Sequence, residues 1–120
     1  MAICLSQHAH PALKSLARLP RLRFFELRDH HEAYGAGAWA EHPDCMELHL
    51  ELFRFGPATV RTMRADLAEF KAMALALGKR RIVGLRTEDG MAVDSRWPRF
   101  TKLFGFTGQR VFQAAELELD

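Results

Sequence analysis

The sequence predicts a mixed β-sheet with helices packed on its faces, an α/β or α+β domain. Three observations predict it. Residues 46–53 set Met46, Leu48, Leu50 and Leu52 against Glu47, His49 and Glu51, the alternation of a strand with one apolar and one ionisable face. Residues 58–77 place Val60, Met63, Leu67, Phe70, Ala74 and Leu77 on one stripe of a 3.6-residue helix. Residues 81–87 (Arg-Ile-Val-Gly-Leu-Arg-Thr) have the apolar centre of a strand buried within a sheet. A strand, a long helix and a second strand form a crossover, so 46–53 and 81–87 are expected to be parallel neighbours.

The remaining elements follow in order. A short apolar stretch, Ile3 to Leu5, precedes a helix that starts at His10-Pro11, where proline suits the first turn. Leu13, Leu16 and Leu19 recur at helical spacing until Pro20 stops the run. Residues 22–28 read as a strand and Asp29–Glu32 as a polar turn. The Gly- and Ala-rich stretch Tyr34–Trp39 is a further strand, with a bulge expected at Gly35 or Gly37, before the turn at His42-Pro43-Asp44. Gly56-Pro57 opens the long helix; Gly78 closes it, and Lys79-Arg80 complement its negative end. Glu88-Asp89-Gly90 is a turn. Asp94 or Ser95 caps a last helix bearing Trp97, Phe100, Leu103 and Phe104, with Pro98 in its first turn and Gly105 ending it. Val111–Leu119 alternates again as a strand. The predicted order is β-α-β-β-β-α-β-α-β, with antiparallel pairing across the short early connections.

A chain of 120 residues fits one domain, 1–120, with one core. Apolar residues make up 48% and charged residues 27%, and 8 Gly with 5 Pro exclude a collagenous or low-complexity chain. No apolar run is long enough to cross a bilayer. Seventeen basic against fifteen acidic side chains leave +2, which gives no ground for nucleic-acid or membrane binding. Two cysteines, Cys4 and Cys45, make neither a disulfide framework nor a metal motif, and the N-terminus has no signal-peptide pattern, so a reduced, cytoplasmic setting is expected. Asp29-His30-His31-Glu32 reads as a turn rather than a metal site, because adjacent side chains on a strand diverge. Trp39, Trp97 and the nine Phe read as core.

Asp94-Ser-Arg-Trp97-Pro-Arg-Phe100-Thr101-Lys-Leu-Phe-Gly105-Phe106 has the spacing of Asn-x-x-Ala-x-x-Phe-Tyr-x-x-x-Gly-Phe, the last-helix pattern of the GNAT (Gcn5-related) N-acetyltransferases. With the preceding helix, Gly78 and the strand from Arg81, residues 46–119 resemble that family. The resemblance implies a GNAT-like acyl-CoA N-acyltransferase fold, trimmed at the N-terminal helical region. It also implies acetyl-CoA bound in the splay between the 46–53 and 81–87 strands, with Arg54, Gly56, Thr59 and Arg61 as the candidate cofactor-binding residues. His49 and Glu51 on the polar face of the 46–53 strand are the candidate bases for an attacking amine.

The chain departs from the pattern at two functional points. The family's phosphate loop, Gln/Arg-x-x-Gly-x-Gly/Ala, needs glycines for close approach of backbone N–H groups. Phe53-Arg54-Phe55-Gly56-Pro57-Ala58 supplies one, and Pro57 removes a donor. The family's general-acid Tyr falls on Thr101, a far poorer proton donor. These departures favour a degenerate GNAT-fold protein, of the kind phages and prophages encode, with a binding or structural role and a protein partner or second copy as its ligand, cytoplasmic or virion-associated. The alternative is an active N-acetyltransferase transferring acetyl from acetyl-CoA to an amine.

Overall fold

The computed structural model of the protein describes residues 3–11, 13, 21–30, 32–85 and 96–109, with 115, 117 and 119 as single positions. Among these the chain forms strands β1 (Ile3–Ser6), β2 (Arg23–Arg28), β3 (Ala33–Glu41), β4 (Cys45–Leu52) and β5 (Arg81–Gly84), and helices α1 (Pro57–Ala76) and α2 (Trp97–Lys102). The strands make one sheet in the order β1-β2-β3-β4-β5. The first three junctions are antiparallel and the last is parallel, with Cys45–Leu48 beside Arg81–Gly84, as the crossover through α1 requires. The rest of the helix expected over 11–20, the 88–90 turn, the Asp94/Ser95 cap and the 111–119 strand fall mainly or wholly outside the described residues. Of the first, a tight turn at Pro11 and Leu13 is seen, closed by the Leu13 N–H donating to the His10 carbonyl at 2.8 Å.

β3 lies at the centre of the sheet and is covered on both faces, so every residue from Tyr34 to Ala40 is buried. Its small residues follow from that crowding. A Cβ on Gly37 would lie 2.4 Å from Phe25 Cζ and 2.6 Å from the His49 carbonyl oxygen, so only glycine lets the Phe25 ring cross there. The bulge predicted in this strand exists, but at Tyr34 rather than at a glycine: Leu27 pairs with Gly35 and Arg28 with Ala33, leaving Tyr34 as the extra residue. The displaced register turns the Tyr34 side chain to the α1 face, where its hydroxyl donates to Asp66.

On that face Phe25, Leu27, Trp39, Met46 and Leu48 pack against Met63, Leu67, Phe70 and Ala74 of α1. Each large side chain so buried contributes about 1.5–3 kcal/mol. Leu77, expected on the same stripe, instead caps the helix and is 44% exposed. Gly78 follows at φ 77°, with its N–H donating to the Leu75 carbonyl and that of Lys79 to Ala74, the paired bonds of a Schellman ending. The opposite face carries Ala36, Ala38 and Ala40 beneath Leu13 and Leu22.

Candidate functional site

Among the described residues β4 pairs with β5 as far as Leu48, whose carbonyl accepts from the Leu85 N–H at 2.9 Å, while β4 pairs with β3 on to Leu52. The space beside β4 past Leu48 is the candidate cleft. Leu48 and Leu50 form one wall, Gly84 the other and Met63 of α1 the floor; Trp97, Phe100, Phe104 and Phe106 fill it, leaving a cavity of about 10 Å³. That is no more than the space of one water. The rings pack directly on Gly84: a Cβ there would meet Phe106 at 3.4 Å and Trp97 at 3.6 Å, ordinary van der Waals contact. Phe100 is the hub, with ring centroids of Trp97 at 5.7 Å, Phe104 at 5.3 Å and Phe55 at 5.9 Å.

The candidate phosphate-binding residues lie at the start of α1, which packs on the same face of the sheet. Gly56 is the N-cap, in extended backbone, with no side-chain capping bond and no acidic residue in the first turn. Pro57 occupies the first helical position, so the N–H groups there begin at Ala58. Thr59 is buried. Arg54 is held by two carboxylates, donating to Asp29 and, at 3.0 Å, to Glu32. Arg61 is exposed and forms no ion pair with a described residue. Thr101, at the family's tyrosine position, is buried. Its hydroxyl donates within α2 to the carbonyls of Trp97 (3.0 Å) and Pro98 (3.2 Å) and accepts from Gln109 at 2.7 Å.

His49 and Glu51 lie on the other face. The register sets Glu51 opposite Ala36, His49 opposite Ala38 and Glu47 opposite Ala40. His49 is 4% exposed, on the face where Leu13 and Leu22 pack on the alanines of β3, so its imidazole is enclosed rather than open to a cleft. Burial pushes the Glu47 carboxyl up, but hydrogen bonds from His49 and His42 outweigh it and hold the carboxyl below its ordinary value. Glu47 is therefore an anion that only accepts, so His49 Nε2 donates to Oε2 at 2.6 Å and His42 Nε2 to Oε1 at 2.9 Å. In neutral His49 the lone pair is then on Nδ1, which is buried and has no hydrogen-bond partner. Among the described residues, no three His, Cys, Asp or Glu side chains are grouped to hold a metal ion. No helix of the described chain is long and apolar enough to cross a membrane.

No protein-family model and no curated protein matches the sequence. Solved structures do match the fold. An aminoglycoside acetyltransferase from an uncultured soil metagenomic sample, solved with sisomicin, superposes with a TM-score of 0.59 over 96% of this chain and 79% of its own, at 11% identity. An aminoglycoside N-acetyltransferase solved with coenzyme A gives 0.55 over 87% of this chain and 82% of its own, at 12% identity. The chain has the GNAT fold. At such identities the likeness establishes architecture alone.

Within the GNAT fold the sheet separates the sequence-predicted residues. Gly56, Thr59 and Arg61 belong to the α1 side, His49 and Glu51 to the reverse side, and Arg54 is engaged elsewhere. Three features escaped sequence reasoning. Trp97 stands where the family pattern has alanine, a visible substitution whose meaning depends on Gly84 lying opposite. His42 joins Glu47 only through the hairpin between β3 and β4, in which the His42 N–H donates to the Cys45 carbonyl. Asp66 sits among the polar positions of α1 yet is 4% exposed, because the bulge delivers Tyr34 to it.

Proposed function

We propose that the chain is a binding module built on the GNAT fold, with a partner-binding rather than an acyl-transferring role. One observation carries this reading: among the described residues, the space between Leu50 and Gly84 is occupied by the protein's own rings, with about 10 Å³ left over. The pinned Arg54, Pro57 at the helix start and the internally bonded Thr101 agree with it. The test is a thermal-shift titration with acetyl-CoA. A ligand at about 100 times its dissociation constant stabilises by about 2.7 kcal/mol, several degrees in a domain of this size. No shift is expected at millimolar acetyl-CoA, and a saturable shift overturns the reading.

A specific feature favours a second reading, an N-acetyltransferase acting on an amine. Glu47 orients His49 with a free ring nitrogen, the arrangement of a carboxylate-positioned base. The match to a GNAT structure holding coenzyme A supports the cofactor that reading needs. It requires acetyl-CoA turnover that His49→Ala abolishes and Glu51→Ala reduces.

A further inference from the structure

We draw no further inference here: the strongest candidate, the enclosed His42–Glu47–His49 cluster on the reverse face of the sheet with its partnerless His49 Nδ1, belongs to the site already described.

Discussion

Substituting Gly37 by alanine tests how the sheet is assembled. The new methyl carbon would start 2.4 Å from Phe25 Cζ, 2.7 Å from Cε2 and 2.6 Å from the His49 carbonyl oxygen. Ordinary carbon–carbon contact lies near 3.5–4.0 Å, so the ring must retreat by more than an ångström. It has little room: Phe25 is 2% exposed, lies 6.4 Å from the Phe70 ring, and borders a cavity of only about 20 Å³ shared with Leu27, Leu50, Met63 and Phe70. The carbonyl belongs to the neighbouring strand and moves only with the β3–β4 ladder. Overpacking of a side chain costs about 1–3 kcal/mol, and the backbone contact places this case at about 3 kcal/mol. With an unfolding entropy of about 2.1 cal/mol/K per residue, that lowers the melting temperature by about 12 °C. Thermal melts followed by circular dichroism give the number. F25L/G37A removes the ring but not the carbonyl, so the double variant should fall short of the summed single effects by about 1 kcal/mol. A G37A protein melting within about 2 °C of wild type, or strict additivity in the double variant, would refute the argument that Phe25 dictates this glycine.

Two further predictions concern buried charge. Burial raises the Asp66 carboxyl above its ordinary value, the Tyr34 hydrogen bond pulls it back, and Glu69 pushes it up again; burial and the same bond drive the Tyr34 phenol far upward. Tyr34→Phe should cost about 2 kcal/mol at neutral pH by leaving the carboxylate without its donor. Because a raised acid is penalised once ionised, that deficit should shrink as pH falls through the raised value; a deficit independent of pH in the melting curves would count against it. Glu47 has the opposite sign. Its lowered value contributes stability above the ordinary carboxylate range, and this is lost as pH falls through the folded-state value. Glu47→Gln should therefore flatten the acid limb of melting temperature against pH, and an unchanged slope would exclude the His42–Glu47–His49 chain as its source.

Parity explains what was legible in the sequence. The alternation from Met46 to Leu52 names the two faces of β4 without any coordinates, because side chains on a strand change sides at every residue. Which face the long helix covers is a finding of the structure: the apolar face lies under α1 and the ionisable residues on the reverse. The crossover rule then gave the parallel β4–β5 pair. Parity fails at Tyr34, where one inserted residue reverses the count, so the tyrosine reaches Asp66 on the α1 face and that aspartate is buried. The glycines attracted the bulge prediction because they tolerate unusual backbone. Gly37 is instead spent on the close approach of Phe25.

The site residues show a different limit. Helical spacing marks Trp97, Phe100 and Phe104 as one stripe, and a stripe is apolar whether it covers a core or fills a binding cleft. The choice between those depends on what stands across the gap, and here that is Gly84 on a strand thirteen residues away with the chain between them undetermined by any period. The same holds for His49. Its flanking carboxylates are visible in the sequence, but only the hairpin register adds His42 to Glu47 and fixes which nitrogen keeps its lone pair. Spacing within an element reports which residues share a face; function in this chain is set by which faces meet.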